Sequence, residues 1–301
     1  MIKLLLVSFG LIFSFIGAGC TEADNSIIAN GATPVLVSDA FKFTEGPASD
    51  AYGNVYFTDQ PNNRIHKWSL DGTISLFMEE SGRANGLYFD NEGNLLACAD
   101  ENNQLWSIDV ASRNVDVLID NFDNLKLNGP NDLWVDARGG IYFTDPYYKR
   151  EYWQNPEQEI YYERVYYLLP DGSDVIIVDD ELVKPNGIIG TPDGKVLYVA
   201  DIGDDKTYSY TIHSDGTLSN RTLFCSKGSD GMTIDNRGNV YLTGDGVMVF
   251  NPSGEMIEHI KIDQPWTANV TFGGASQNIL FITAMNSIYT LQMNVKGVRY
   301  K

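Results

Sequence analysis

Six oxygen-bearing side chains recur at one fixed place in a repeated pattern of this 301-residue chain. The clearest copies of the pattern run from Asp50 to Asp59 and from Asp136 to Asp145, and four weaker copies occur elsewhere. Five residues before the copies stand carboxylate or amide side chains: Glu45, Asn85, Asn131, Asn186, Asp230 and Asn269. If the copies form a ring, these side chains converge on one point. Such an all-oxygen pocket would suit a hard cation.

The spacing of the copies predicts the fold. Units of roughly 40–55 residues have the length of a propeller blade, and each contains four short β-rich runs. The third strands are predicted at 64–68, 104–108, 164–168, 207–211, 247–250 and 287–291. The sixth unit lacks a fourth strand, and the spare segment Pro34–Asp39 can supply it and close the ring. We therefore predict an all-β protein, a six-bladed β-propeller over residues 34–301 whose N-terminal strand completes the last blade.

The N-terminal residues have the character of an export signal. The apolar run from Leu4 to Ile16 is too short for a membrane span. Cys20 follows small residues and resembles the cysteine that is lipidated in bacterial lipoproteins, although Gly17 stands where leucine is usual; an ordinary cleaved signal is the alternative. We expect a signal peptide at 1–19 and a flexible tether at 20–33. The protein would then be an exported lipoprotein that faces the periplasm or cell surface and touches the membrane only through the lipid on Cys20.

The composition disfavours several function classes. The formal net charge of −19 argues against binding to nucleic acid or to an anionic membrane surface. The sequence has no Cys-x-x-Cys, His-x-His, Gly-x-Ser-x-Gly, P-loop or dinucleotide glycine pattern. His66, His213 and His259 lie beside third and fourth strands, which disfavours a zinc site or a Ser-His-Asp triad. Cys98 and Cys225 are expected to be buried small apolar residues.

A second set of carboxylates ends the second strands of four repeats. These residues are Asp59, Asp100, Asp145 and Asp201. For most of them we expect a structural role at the start of the next turn. Near a cation, some of them could orient water or substrate.

The chain resembles the gluconolactonase and regucalcin (senescence marker protein) family, together with the related diisopropyl-fluorophosphatases and Drp-type lactonases. The segments that carry the resemblance are Glu45-Gly-Pro, Ala84-Asn-Gly-Leu, Gly129-Pro-Asn-Asp-Leu, Tyr142-Phe-Thr-Asp-Pro, Lys184-Pro-Asn-Gly, Ser229-Asp-Gly-Met and Ala268-Asn-Val-Thr-Phe-Gly-Gly. The resemblance implies a six-bladed propeller with one catalytic divalent cation on its axis. Its implied ligands are Glu45, Asn131, Asn186 and Asp230, and Asn85 and Asn269 would face substrate or metal-bound water.

The chain departs from the family pattern in the second blade. Many bacterial members carry Glu-His after the second strand of that blade and an arginine shortly beyond it. This chain has Ala99-Asp-Glu-Asn-Asn-Gln at the same place. The loss of the histidine and the arginine bears on the substrate and leaves the metal ligands unchanged.

These observations together predict a metal-dependent lactonase, a gluconolactonase-like hydrolase that opens a small-molecule sugar lactone. Its cofactor would be one divalent cation, with Ca²⁺ the first choice and Mg²⁺, Mn²⁺ or Zn²⁺ the others. The cation would polarise the ring carbonyl, and Asp230 is the candidate base. Direct attack by hydroxide stays open, because a carboxylate beside a dication is a weaker base. The alternatives are a phosphotriesterase or esterase at the same site, or a non-catalytic surface propeller that binds carbohydrate or calcium.

Overall fold

The computed structural model describes residues 26–298, which form 26 strands and two short 3₁₀-helices. Of these strands, 24 form six antiparallel four-stranded sheets, and the other two form a small hairpin. The predicted all-β, six-bladed propeller is therefore confirmed. The third strands begin and end within one residue of their predicted bounds. No helix of the described residues is long and apolar enough to cross a membrane.

Each blade consists of four strands that follow one another from the axis outward. The strands of the first three blades are β2 (Thr44–Ser49), β3 (Val55–Asp59), β4 (Arg64–Trp68) and β5 (Ile74–Glu79); β6 (Ala84–Phe89), β7 (Leu95–Ala99), β8 (Gln104–Ile108) and β9 (Val115–Ile119); and β12 (Leu133–Val135), β13 (Ile141–Asp145), β14 (Arg164–Leu168) and β15 (Val175–Asp179).

The remaining blades repeat this order, and the last one is completed from the N-terminus. Their strands are β16 (Pro185–Gly190), β17 (Val196–Asp201), β18 (Lys206–Ile212) and β19 (Leu218–Cys225); β20 (Met232–Ile234), β21 (Val240–Gly244), β22 (Gly246–Phe250) and β23 (Met256–Ile260); and β24 (Asn269–Gly273), β25 (Ile279–Ala284), β26 (Ser287–Gln292) and β1 (Val35–Ser38). The hairpin is β10 (Asn121–Phe122) with β11 (Leu125–Lys126), and the 3₁₀-helices are Gln60–Asn62 and Asp100–Asn102.

The N-terminal strand closes the ring as predicted. β1 pairs antiparallel with β26, and Val35 lies opposite Thr290. The residues before β1 also contact the last blade, because Ile27 is buried in the apolar core there and Ile28 pairs with Met293. The part of the predicted tether that is described, residues 26–33, is thus packed on the propeller. The predicted signal peptide and Cys20 lie outside the described residues.

The apolar core lies between neighbouring blades. Buried side chains form clusters that each join strands of adjacent sheets. Trp134 of blade 3 shows how tightly the sheets pack, since a Cβ added at Gly190 of blade 4 would lie 2.2 Å from its ring. Cys98 and Cys225 are free thiols buried in this core, as expected for small apolar residues.

One face of the propeller gathers the starts of the inner strands. Because the strands are antiparallel, the connections from second to third strands lie on this same face. In blades 1, 2 and 4 these connections are short, at 60–63, 100–103 and 202–205. In blade 3 the connection is a long insertion, residues 146–163.

The closure of the ring can be tested by truncation. A protein that begins at Phe43 should be much less stable than one that begins at Pro34, because it lacks β1 and leaves β26 as an open edge. Loss of 26–33 alone should also lower stability, since burial of a side chain such as Ile27 contributes about 1.5–3 kcal/mol. Chemical denaturation of the full chain and of both shortened proteins measures the stability lost with residues 26–33 and the further stability lost with β1. Equal midpoints for the two shortened proteins would contradict closure by β1.

Candidate metal centre

The six oxygen-bearing residues of the repeat lie together around the propeller axis. We call them the axial ring: Glu45, Asn85, Asn131, Asn186, Asp230 and Asn269. Four of them occupy the first or second position of an inner strand, and Asn131 and Asp230 lie just before β12 and β20. Five are buried, and Asp230 is partly exposed. Asp230 therefore marks the rim of the site.

Glycine allows the inner strands to approach one another at the ring. Four of the six ring residues are followed by glycine. A Cβ added at Gly46 would lie 2.1 Å from the carbonyl oxygen of Asn85, and one at Gly231 would lie 1.9 Å from the side chain of Asn269. These separations are far below van der Waals contact, so a larger residue does not fit. At these four positions the glycines thus allow the inner strands to lie close together.

The threonine of the repeated Phe-Thr-Asp pattern joins adjacent blades at the ring. The hydroxyl of Thr58 in blade 1 donates to the carbonyl oxygen of Asn85 in blade 2 at 3.2 Å. The hydroxyl of Thr144 in blade 3 donates to the carbonyl oxygen of Asn186 in blade 4 at 2.8 Å. Both threonines are buried. Because buried hydrogen bonds are costly to break, they fix the backbone of the ring residues.

Asp132 is a further buried carboxylate at the axis, and the repeat pattern did not predict it. It follows Asn131, at the place where four other repeats have glycine. Its Oδ1 accepts the Leu133 amide at 2.9 Å. The same oxygen lies 2.7 Å from where a Cβ of Gly86 would be, so the glycine of blade 2 makes room for it. The departure from glycine is the signal that could have found this residue.

Three carboxylates therefore share the axis, and none of them makes an ion pair with a described Lys, Arg or His. Burial, and then repulsion from Asp230 and Asp132, raises the pKa of Glu45 well above its usual value. Burial raises the pKa of Asp132 to about 8, and repulsion from Asp230 adds to the effect. Burial raises the pKa of Asp230 to about 6, against the opposing effect of hydrogen bonds and the charge of Arg150. A cation at the axis would relieve this repulsion.

Asn269 separates two of these carboxylates. Its Oδ1 accepts the Val270 amide at 2.7 Å. Hydrogen bonding with its side chain lowers the pKa of both Glu45 and Asp132. Asn269 and Asp132 also line one end of a cavity of about 740 Å³ that follows the inner strands toward the opposite face. The substrate-facing role of Asn269, like that of Asn85, stays a prediction.

The amide oxygen of Asn186 is buried and has no hydrogen-bond partner among residues 26–298. The amide nitrogen of the same side chain donates to the Tyr148 hydroxyl at 3.1 Å. A buried oxygen without a partner is unfavourable, and a hard cation is a partner that suits it. The ring therefore fits the implied cation in the type of its donors.

A cation at the ring would need amide oxygens as well as carboxylates. Within the described part of the chain, no three His, Cys, Asp or Glu side chains are grouped so that they could hold a metal ion. The two ring carboxylates, Glu45 and Asp230, would therefore need Asn131 and Asn186 to complete a coordination shell.

Three of the four aspartates that end the second strands are structural, as expected for most of them. Asp59, Asp145 and Asp201 each accept two backbone amides, at 2.8–3.2 Å, from the segment that leads into the inner strand of their own blade. These bonds reach back to the entering segment, and Asp59 also accepts the Asn62 side-chain amide of the next turn at 2.7 Å. Asp100 differs, because its carboxylate accepts side-chain donors that include Arg150 at 2.7 Å.

The three histidines contact residues outside the axial ring. His66 stacks on Phe57 with ring centres 5.5 Å apart. His213 shares a hydrogen bond with the Ser219 hydroxyl at 2.7 Å, and His259 contacts the carbonyl oxygen of Asp245 at 2.6 Å. We therefore assign the histidines no role at the axis.

Comparison with known proteins identifies the family. The family model described as the SMP-30/Gluconolactonase/LRE-like region matches residues 43–286. The chain belongs to this family. It is 29% identical over 302 residues to a gluconolactonase from Zymomonas mobilis, a match that covers 90% of this chain and 84% of the relative. The predicted membership of the gluconolactonase and regucalcin family is thus confirmed.

Solved structures agree with the family assignment. A gluconolactonase from Xanthomonas campestris superposes with a TM-score of 0.82 at 29% identity, covering 90% of this chain and 96% of that chain. The regucalcin of Agrobacterium tumefaciens, described as a calcium-binding protein, has a TM-score of 0.75 and covers 91% of this chain and 96% of that chain. At 19% identity, the second likeness shows the fold.

The shared axial charge predicts an unusual pH dependence of stability for the metal-free protein. The folded state keeps protons on the axial carboxylates that the unfolded chain releases near pH 4, so the free energy of unfolding should fall from about pH 4 to about pH 8. Asp132→Asn removes one of these charges and keeps the oxygen that accepts the Leu133 amide. It should therefore stabilise the protein, and by more at pH 8 than at pH 5.

Urea denaturation in the presence of chelator, at both pH values, measures this effect. The matched control is Asp116→Asn, which removes an exposed charge on β9 and should have a small effect that is alike at both pH values. A loss of stability in Asp132→Asn, or a gain that is the same at both pH values, would contradict the prediction.

Proposed function

We propose that this protein is a divalent-cation-dependent hydrolase that opens lactones, with sugar lactones such as gluconolactone as its substrate class. The observation that carries the proposal is the axial ring, where two carboxylates lie beside the unpartnered amide oxygen of Asn186. The family adds support, because relatives named gluconolactonase and lactonohydrolase match most of this chain or a large part of it.

The residues that would hold the cation are Glu45, Asn131, Asn186 and Asp230. Two carboxylates would balance the charge of a dication, and the amide oxygens would add neutral ligands. An all-oxygen set favours calcium over zinc, which prefers nitrogen and sulfur ligands. When bound, the cation would polarise the lactone carbonyl and stabilise negative charge on its oxygen.

Asp230 is the proposed proton acceptor. Trp266 Nε1 donates to Asp230 Oδ2 at 2.7 Å, which orients the carboxylate at the rim. Burial raises the pKa of Asp230 to about 6 in the metal-free protein, which favours its role as a base. A bound cation would lower this pKa, so direct attack by hydroxide is the alternative. The water oxygen adds to the carbonyl carbon, the ring C–O bond breaks, and the ring oxygen takes up a proton to give a hydroxy acid. Asn85 and Asn269 of the ring would face the substrate or metal-bound water.

Removal of either ring carboxylate should impair both metal binding and turnover. Glu45→Gln and Asp230→Asn should weaken calcium binding by at least about 10-fold and abolish lactone hydrolysis, because the dication loses a balancing charge. Asn131→Ala and Asn186→Ala should also weaken binding, since each removes a neutral oxygen. Calorimetric titration with calcium and a pH-drop assay on D-glucono-δ-lactone, with and without chelator, measure the two effects.

The controls for these variants are single alanine substitutions of His66, His213 and His259, which should keep most of the activity. Full activity of Asp230→Asn, or full activity in excess chelator, would contradict the proposal. Hydrolysis of phosphotriesters with no hydrolysis of lactones would assign the same site to the alternative esterase chemistry.

We also propose that the protein is exported and anchored to a membrane by a lipid on Cys20. The support is the sequence alone, in which the apolar run 4–16 and small residues precede this cysteine. Cys20→Ala should move the protein from the membrane fraction to the soluble fraction of producing cells, whereas Cys98→Ala, a buried cysteine, should leave it membrane-bound. Fractionation and immunoblotting would detect the change. Membrane association of Cys20→Ala equal to that of the natural protein would contradict the anchor.

A further inference from the structure

The insertion of blade 3, residues 146–163, lies on the face of the propeller that carries the axial ring. It reaches the ring through Tyr148, whose hydroxyl accepts the hydrogen bond from Asn186. Asp100, at the end of the second strand of blade 2, also binds it, and Lys184 beside β16 of blade 4 donates to the Tyr147 carbonyl oxygen at 2.9 Å. The insertion therefore spans the rim between blades 2 and 4.

Asp100 binds the insertion. Its counterparts Asp59, Asp145 and Asp201 instead bind backbone amides of the segment that enters their own blade. The Oδ2 of Asp100 accepts hydrogen bonds from Arg150 Nε at 2.7 Å and from the Tyr152 hydroxyl, and its carbonyl oxygen accepts the Trp153 indole N–H at 2.7 Å. The residue is 3% exposed. The segment that enters blade 2 is held by Asn63 instead, which accepts the Arg83 amide at 2.7 Å. In blade 2, therefore, the Asp100 carboxylate does not bind the entering segment, as the equivalent aspartates do in blades 1, 3 and 4.

Arg150 presents unused hydrogen-bond donors at the rim. Its Nε is engaged by Asp100, whereas its two terminal nitrogens make no hydrogen bond to any residue within 26–298. Its side chain is 25% exposed. The guanidinium carbon lies 5.4 Å from the centre of the Tyr148 ring, and its positive charge acts on Asp230. Arg150 is thus fixed beside the ring residues with donors left for a ligand.

Three cations of the rim are paired with carboxylates. The three pairs are Arg150 with Asp100 at 2.7 Å, Arg83 with Glu101 at 3.4 Å, and Lys184 with Glu163 at 3.3 Å. Lys149 of the insertion makes no ion pair with a residue of 26–298, but the insertion also carries Glu151, Glu157 and Glu159. The rim therefore offers N–H donors with little net positive charge. Such donors suit neutral oxygen atoms, such as hydroxyl groups, better than a carboxylate or phosphate, which would call for an unbalanced cation.

We propose that Arg150, positioned by Asp100, binds hydroxyl groups of the substrate and makes the enzyme selective for hydroxylated lactones. This inference rests on the proposed function and adds the residue that distinguishes one lactone from another. The terminal N–H groups of Arg150 donate to hydroxyl oxygens that an unsubstituted lactone lacks. Blade 3 thus supplies an arginine at the rim, whereas the sequence of blade 2 lacks the one that many relatives carry. Asp100 is a positioning residue in this arrangement, since it acts through Arg150.

The test compares two lactones with the same ring. D-glucono-δ-lactone carries hydroxyl groups, and δ-valerolactone has none. Arg150→Met should lower kcat/KM for the first by about 10- to 100-fold and for the second by less than about threefold, on the scale of a lost hydrogen bond from a charged donor. Arg150→Lys should restore part of the loss, because a lysine keeps the charge without the fork of donors. Asp100→Asn should reproduce the selective loss.

The chain contains a matched control for this arrangement. Arg221 donates to Asp179 at 3.1 Å, and the Tyr210 hydroxyl donates to the same oxygen at 2.9 Å, much as Tyr152 does to Asp100. This second set lies on the outer strands β15 and β19 and on β18. Arg221→Met should therefore leave kcat/KM unchanged for both lactones.

The outcomes separate the inference from the proposed function. Equal losses for the two lactones in Arg150→Met, together with weaker calcium binding, would mean that Arg150 only supports the insertion and would overturn the inference. Natural protein that hydrolyses D-glucono-δ-lactone, with unchanged selectivity in Arg150→Met, would overturn the inference alone. Natural protein that hydrolyses neither lactone would overturn the proposed function and the inference with it.

Discussion

The repulsion among three carboxylates at the propeller axis, two of them buried and Asp230 partly exposed, is the constraint that the surrounding contacts must offset. Glu45, Asp132 and Asp230 belong to three different blades, and burial raises the pKa of each of them. A chain keeps such groups together only when other contacts fix their positions, because a buried charge without a partner is unfavourable. The closing strand β1, the glycine contacts and the threonine bonds between blades supply those contacts. The protein thus keeps at its axis a negative charge that protons or the proposed cation can balance.

Each residue type of the repeat has a different role in holding the carboxylates together at the axis. The ring residue supplies an oxygen, the following glycine lets the strands approach, and the threonine ties the ring to the blade before it. The aspartate after that threonine holds the segment that enters the blade, as Asp145 does for residues 128 and 129. The same short pattern therefore builds the blade and orients its chemistry, which is why a repeat of the fold is also a repeat of the donor atoms.

Features that recur in every blade could be predicted from the sequence, because six copies of one pattern constrain one another. The axial ring and the third strands are of this kind, and the closing strand follows from the fourth strand that the sixth copy lacks. Asp132 could not be found in this way, since a search for repeats selects what the copies share and Asp132 stands where most copies have glycine. The contact between Asp100 and Arg150 joins residues 50 apart in sequence through an insertion without a repeat, so only the folded chain brings them together. Residues that depart from the repeat are thus the ones that sequence reasoning missed.

The repeated ring and the insertion, which is not repeated, have different roles in the function that we propose. The ring is held by the backbones of neighbouring blades, so the lactone chemistry assigned to it is tied to the propeller itself. The insertion forms part of the rim, and among residues 26–298 it touches the ring through the hydrogen bond between Tyr148 and Asn186 and through the charge of Arg150 near Asp230. An insertion linked so lightly can change its side chains with little effect on the ring. Propellers that share the ring could therefore differ in the lactones they accept, because the selectivity that we propose lies in a segment that the fold does not require.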